Sequence, residues 1–181
     1  STGVINLYGG TYKHTGDYPV ITSRGSKGGI NMYHGTHITG TSGHNGSNIR
    51  VYVSYLNVYG GTIENGIGTQ GGNIYGGKNA KITIAGGTIT GGCVSGEYSG
   101  GNIRVSGTMN MYGGEITNGT ATGNGGNIGS TGTLRIYGGT ITGYVTSESF
   151  GAVYVHTSGV FNMEGGAVSG NSARYYGGGV A

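Results

Sequence analysis

The chain has 181 residues, of which 46 are glycine and only 8% are charged, and its formal net charge is +3. Glycine far exceeds its usual share of about 7%, and charged residues fall well below the usual quarter. Low charge argues against a disordered chain, and the lack of a G-X-Y period excludes collagen. The bases form no run, and no apolar stretch approaches about 18 residues. The sequence therefore predicts no nucleic-acid partner and no membrane insertion.

A phrase with fixed glycines returns along the whole chain. It reads "VYGGTIENGIGTQGGNI" at 58–74 and "MYGGEITNGTATGNGGNI" at 111–128. When the second glycine of each pair, or its equivalent, is placed in register, the copies follow one another at intervals of 25 to 27 residues. These positions are Gly10, Gly35, Gly61, Gly87, Gly114, Gly139 and Gly166. A repeat of this length indicates a solenoid, in which each unit buries its apolar face only against its neighbours.

Each copy contains three short stretches with the alternation of a β-strand. The first precedes the glycines, as in "MNMY" at 109–112, where Met109 and Met111 are expected to point inward. The second is "TIT" or a relative, with its central Ile inward, and the third begins at "NI". We predict an all-β fold, a right-handed single-stranded parallel β-helix of about seven coils of about 26 residues each. It has three short strands per coil and forms one domain over residues 1–181.

Two features of the connections follow from this prediction. The glycine pairs lie at sharp corners, where a positive φ is often required. The loop between the second and third strands carries one apolar residue per copy, which we expect to fill the interior. These residues are Ile67, Val94, Ala121, Val145 and Ala173.

Stacked coils place equivalent residues above one another and so create columns of a single residue type. An asparagine row precedes the third strand, and we expect it to be a structural ladder whose amides bond along the axis. The asparagine row is Asn48, Asn73, Asn102 and Asn127. An outer asparagine column lies within the first strand, between its two inward apolar residues, and consists of Asn6, Asn31, Asn57, Asn110 and Asn162.

Tyrosine and threonine columns are expected on the outer surface. The tyrosine column is Tyr8, Tyr33, Tyr59, Tyr112 and Tyr137, interrupted by Ala85 and Glu164. The threonine columns include Thr88, Thr90, Thr117, Thr140 and Thr142. Tyrosine rings could stack on sugar rings, or they could simply shield the strand edge. The threonines could order water as an ice-binding array, or they could reflect the ordinary preference of threonine for strands.

Catalytic patterns are sparse. Glu64 and Glu115 would lie roughly 10 Å apart along the axis, which is a separation that could straddle a glycosidic bond. No third group supports them, and the single aspartate, Asp17, cannot form a calcium cluster. His34 and His37 would point in different directions on a strand, which disfavours zinc. We therefore predict no enzyme activity, no cofactor and no metal site.

The phrase "GGTIT…GGNI" at 86–103 resembles the right-handed parallel β-helix repeats of bacterial secreted and cell-surface proteins, both adhesin-like and autotransporter-passenger-like. The resemblance covers essentially the whole chain. It implies an extracellular structural or adhesive rod, a surface projection or fibre that contacts a glycan or host surface. The alternative is a polysaccharide lyase or hydrolase whose catalytic residues lie outside this segment. We further expect an uncapped piece of a longer array, or a subunit that associates end to end through open strand edges.

Overall fold

The computed structural model describes residues 3–95, 100–143, 145–146 and 150–181, with only the backbone at 145–146. In this part of the chain the regular structure consists of β-strands without a helix. The strands pair in parallel and form three sheets, which we name faces A, B and C. Each coil contributes to all three faces in turn. The predicted all-β class, parallel pairing and three-faced coil are confirmed.

Face A contains the first strand of each coil. Its strands in the described residues, in order along the sheet, are β1 (Val4–Leu7), β4 (Gly29–Met32), β7 (Tyr55–Val58), β10 (Lys81–Ile84), β14 (Thr108–Met111), β18 (Thr133–Ile136) and β22 (Val160–Met163). Seven strands stack here, so six complete turns separate the first strand from the last.

Face B contains the second stretch of each coil, which divides into two short strands in several coils. Its described strands are β2 (Gly10–Thr15), β5 (Thr36–Thr41), β8 (Thr62–Gly68), β11 (Thr88–Thr90), β12 (Cys93–Val94), β15 (Glu115–Thr117), β16 (Thr120–Ala121), β19 (Thr140–Thr142), β20 (Val145–Thr146) and β23 (Ala167–Ser169). Face C contains β3 (Ile21–Ser23), β6 (Ile49–Val51), β9 (Ile74–Gly76), β13 (Ile103–Val105), β17 (Ile128–Ser130) and β21 (Val153–Val155).

The strands pair residue for residue, so the repeat period becomes a set of vertical columns. On face A, Ile82 pairs with Leu56 on one side and with Met109 on the other. On face B, Ile89 pairs with Ile63 and with Ile116. Residues about one period apart therefore lie directly beside each other.

The core is the inside of the coil. Its inward side chains have essentially no exposed surface, as at Ile63, Ile89, Ile116 and Ile141, all at 0%. Burial of one such side chain contributes about 1.5–3 kcal/mol relative to its exposure to water. Most of the described strands alternate, so the residues between these positions face outward, as Thr83 does between Ile82 and Ile84.

The repeated glycines turn the chain from face A to face B. All seven register glycines, from Gly10 to Gly166, have φ between 80° and 89°. At Gly87 a Cβ atom would lie 2.7 Å from the carbonyl oxygen of Gly61 in the preceding coil. Both the positive φ and this close approach exclude an ordinary side chain. The predicted corner conformation is confirmed.

The prediction that Ile67 fills the interior is wrong. Ile67 is 47% exposed, and the next residue, Gly68, is buried. The cause is Asn65, whose left-handed φ of 57° turns the chain within β8 and shifts the alternation by one residue. Gly68, not Ile67, pairs with Val94 of the next coil. Val94 and Ala121 are buried as expected, Ala173 is partly buried, and the side chain of Val145 lies outside the described residues.

Candidate functional site

The tyrosine column lies on the outside of the solenoid at the end of each face A strand. Tyr33 and Tyr59 follow β4 and β7, and their backbone N–H groups donate to the preceding coil. The rings of Tyr8 and Tyr33 stack with centroids 4.8 Å apart, and those of Tyr33 and Tyr59 with centroids 5.2 Å apart. Tyr112 and Tyr137 stack at 4.9 Å with planes only 7° apart. The spacing between strands thus sets the spacing between rings, and the rings stack nearly parallel to one another along the axis.

Two residues that are not aromatic occupy tyrosine positions, and they divide and end the tyrosine column. The N–H of Ala85 donates to the carbonyl of Val58 at 2.8 Å, so Ala85 occupies a tyrosine position between Tyr59 and Tyr112. Glu164 occupies the next position after Tyr137. The column therefore consists of a stack of three rings and a stack of two rings, separated by one coil.

Stacking changes the acidity of the middle ring of the longer stack. The pKa of the Tyr33 phenol is raised, and the largest cause is that its neighbours exclude water from the phenol. Nearby phenols, foremost those of Tyr8 and Tyr59, would repel a Tyr33 phenolate and raise the pKa further. The neutral, hydrogen-bonding form of the Tyr33 phenol is therefore favoured.

The asparagine row lies inside the coil at the corner between faces B and C. All four side chains are at 0% exposure. The Nδ2 of Asn48 donates to the Oδ1 of Asn73, that of Asn73 to Asn102, and that of Asn102 to Asn127, each at 2.7 Å. This chain of amides runs along the axis of the solenoid.

Each amide of the asparagine row also ties the backbone of face B. For example, the Oδ1 of Asn102 accepts from the N–H of Gly92 in its own coil at 2.8 Å, and its Nδ2 donates to the carbonyl of Thr117 in the next coil at 2.8 Å. A Cβ atom at Gly92 would lie only 2.4 Å from the carbonyl oxygen of Gly101, so glycine is needed beside the amide. The asparagine row therefore links successive coils through buried hydrogen bonds, in which the buried amides find the partners that buried polar groups need.

Apolar residues stand at the next position beyond each end of the asparagine row. Val20 has the register of Asn48 in the coil before, and Ala152 has the register of Asn127 in the coil after. Neither can continue an amide chain. The Oδ1 of Asn48 is accordingly buried and makes no hydrogen bond to any described residue.

The threonine columns lie on the outside of face B and are short. Thr90, Thr117 and Thr142 are adjacent on three successive coils, and Thr142 Oγ1 donates to Thr117 Oγ1 at 3.3 Å. In the neighbouring column, Glu115 stands between Thr88 and Thr140. Charged residues therefore interrupt the hydroxyl surface.

The two candidate carboxylates lie on face B and have different surroundings. Glu64 Oε1 lies 2.9 Å from His37 Nε2, and both side chains are partly exposed. Glu115 occupies the other outward column, in register with Thr88 rather than with Thr90. Among the described residues, no three His, Cys, Asp or Glu side chains converge as a metal site would require. His34 is also on the surface, one residue before the corner glycine.

Face C gathers basic and aromatic residues that sequence reasoning missed. The guanidinium carbons of Arg24 and Arg50 lie 5.1 and 5.9 Å from the ring centroid of Tyr52, within cation–π range. Arg50 Nη1 also donates to the Tyr52 hydroxyl at 3.2 Å. The register of β3 with β6 pairs Thr22 with Arg50 and so places Arg24 beside Tyr52, 28 residues later, which a uniform period of about 26 residues did not signal.

Comparison of the chain with protein-family models, with curated proteins and with solved structures finds no match in any of the three. None of the described residues forms a helix with the length and apolar character needed to cross a membrane.

Proposed function

We propose that this protein is a non-enzymatic, extracellular β-solenoid with a structural and adhesive role, and that its tyrosine column contacts a glycan. The observation that carries the proposal is the stacked, outward-facing rings, spaced at 4.8 to 5.2 Å in their occupied runs. Rings within a stack present their edges and hydroxyl groups to solvent, and the ring faces at the stack ends beside Ala85, those of Tyr59 and Tyr112, suit the C–H faces of a sugar. The extracellular location is supported by the resemblance of the repeat to those of bacterial surface proteins.

The rigid scaffold supports this role. Binding platforms that sit on an ordered sheet lose little conformational entropy when they bind. The buried asparagine row and the close-packed interior hold the tyrosine positions in register from coil to coil. A long or branched glycan could therefore touch several rings at once, and weak single contacts would add up.

A glycan array probed with the full chain tests the proposal. We expect binding to at least one glycan class, and we expect Tyr59→Ala combined with Tyr112→Ala to reduce it without a large change in melting temperature. Thr117→Ala combined with Thr142→Ala on face B is the matched control and should leave binding unchanged. Unchanged binding in the tyrosine double variant would refute the role of the column.

The polysaccharide-lyase or hydrolase alternative has its own readout. Incubation of the chain with pectin, alginate and chondroitin should leave their molecular mass unchanged if the role is adhesive. Turnover of any of them by this chain would replace the proposal with an enzymatic one, and its loss in Glu64→Gln or Glu115→Gln would assign the catalytic residues to face B.

A further inference from the structure

The interruption at Ala85 leaves a slot in the tyrosine column. Ala85 follows β10 in the same register as Tyr59 after β7 and Tyr112 after β14. Its exposed side chain ends at Cβ, so no ring fills the space between the two tyrosines. The slot is thus bounded by Tyr59 and Tyr112 as walls and by Ala85 as floor.

The width of the slot fits one ring. Two strand spacings place the ring planes of Tyr59 and Tyr112 about 10 Å apart. The occupied stacks on either side have centroid distances of 5.2 Å between Tyr33 and Tyr59 and 4.9 Å between Tyr112 and Tyr137. One inserted ring would therefore lie at the same distance from each wall as the tyrosines lie from one another. Tyr59 and Tyr112 are 41% and 55% exposed, which leaves surface for such a contact.

The surroundings of the slot indicate what kind of ring it takes. Beside it, one step back along the outer faces of the three strands, lie Asn57, Thr83 and Asn110 in register. These side chains are an amide, a hydroxyl and an amide, without charge. A ring with apolar faces and hydroxyl groups at its edge matches both the walls and this polar row. The row itself carries no charge, and the nearest charged side chains on face A, Lys81 and Arg135, stand one outward position and one coil away from it, respectively.

We propose that the slot over Ala85 binds one pyranose ring of a neutral glycan between Tyr59 and Tyr112. The C–H faces of the sugar pack on the two tyrosine rings, and its edge hydroxyls bond to the amide and hydroxyl row. This inference rests on the proposed function and narrows it to one subsite and one class of sugar.

The test uses methyl β-glucopyranoside and methyl β-galactopyranoside as probes, titrated into the full chain with isotope-labelled tyrosine rings. We expect NMR shifts at Tyr59 and Tyr112 but not at Tyr8, which lies three coils before Ala85. Ala85→Tyr would fill the slot with a ring and should weaken binding by at least roughly tenfold. Ala85→Ser leaves the slot open and is the matched control, with unchanged affinity expected. Tyr112→Ala removes one wall and should weaken binding even if A85Y folds poorly.

The outcomes separate this inference from the proposed function. Absence of ring shifts at Tyr59 and Tyr112, or equal affinity in A85Y and the parent chain, would overturn the slot. If the parent chain still bound glycans on an array in that case, the proposed function would stand and only the subsite would be wrong. If the parent chain bound no glycan at all, both would fail. Tighter binding of para-cresol than of either sugar, with loss in A85Y, would overturn the sugar assignment in favour of an aromatic ligand.

Discussion

The asparagine row and the tyrosine column each place one residue per coil along the same axis. The buried asparagine row is continuous over its four coils, whereas the exposed tyrosine column lacks a ring in one coil. Inside the coil, Asn73 and Asn102 each bond to the amides on both sides, and the row is continuous from its first asparagine to its last. Outside, the column omits a ring at Ala85 and resumes in the next coil at Tyr112. A buried amide without partners is costly, whereas an absent surface ring forfeits only a modest stacking energy. The interior therefore constrains the sequence, and the exterior leaves room for recognition.

The largest effect on stability is expected from an Asn→Ala substitution in the buried asparagine row, compared with the same substitution in the outer asparagine column. Asn102→Ala removes four hydrogen bonds and leaves the buried N–H of Gly92 without its acceptor. We expect a loss of about 2–4 kcal/mol in the free energy of unfolding. Asn57→Ala is the matched control in the outer asparagine column. It removes one hydrogen bond between the side-chain amides of Asn57 and Asn31 and should cost less than about 1 kcal/mol. Urea unfolding followed by circular dichroism measures both, and equal losses would break the distinction.

A smaller effect of opposite sign is expected on the exterior. Ala85→Tyr would join the two stacks and add two ring pairs, each worth about 0.5–1.5 kcal/mol. Ordering the new side chain offsets part of this, so we expect a net gain of up to about 1 kcal/mol and a higher melting temperature. Ala85→Ser serves as the control and should melt with the parent chain. A lower melting temperature for A85Y would show that the gap is required by the fold rather than tolerated by it.

Sequence patterns predicted the columns because the period, the corner glycines and the inward isoleucines all define the same register. Ile63, Ile89 and Ile116 pair directly, and Gly87 and its equivalents share one backbone conformation. The registers of the asparagine row and the tyrosine column follow from that alignment. The alternation of apolar residues did not reveal the left-handed turn at Asn65. The additional residue at this turn makes Ile67 point outward and Gly68 inward.

Contacts between columns were also beyond sequence reasoning. The placement of Arg24 and Arg50 about the ring of Tyr52 depends on how long side chains lean across a face, which a period of about 26 residues does not specify. Nor does the sequence indicate that the Oδ1 of Asn48 lacks a hydrogen-bond donor among the described residues, because this follows from the register of Val20 in the adjacent coil. The gap at Ala85 was visible as an interruption, and only the ring spacing made it a slot.

The smallest expected effect concerns pH and the middle ring of the longer stack. The pKa of Tyr33 is raised above 10.0 in the folded chain, so folding favours the neutral phenol. Below about pH 10 both the folded and unfolded chains keep this proton, and the contribution of Tyr33 to stability is fully present. As the pH rises further, the unfolded chain ionises first, and that contribution is lost as the pH passes through the raised folded pKa.

Tyr33→Phe keeps a ring in the stack but removes the titrating group, so its stability should match the parent chain near pH 8. Between about pH 9.5 and 11 its melting temperature should fall less than that of the parent chain. The shift stays small because Tyr33 lies at the surface, where water screens the interactions between phenols. Thermal melts of both proteins across this range measure the difference. Parallel curves would mean that the phenols of the column titrate independently, and the tyrosine column would then be a row of separate surface rings rather than a coupled stack.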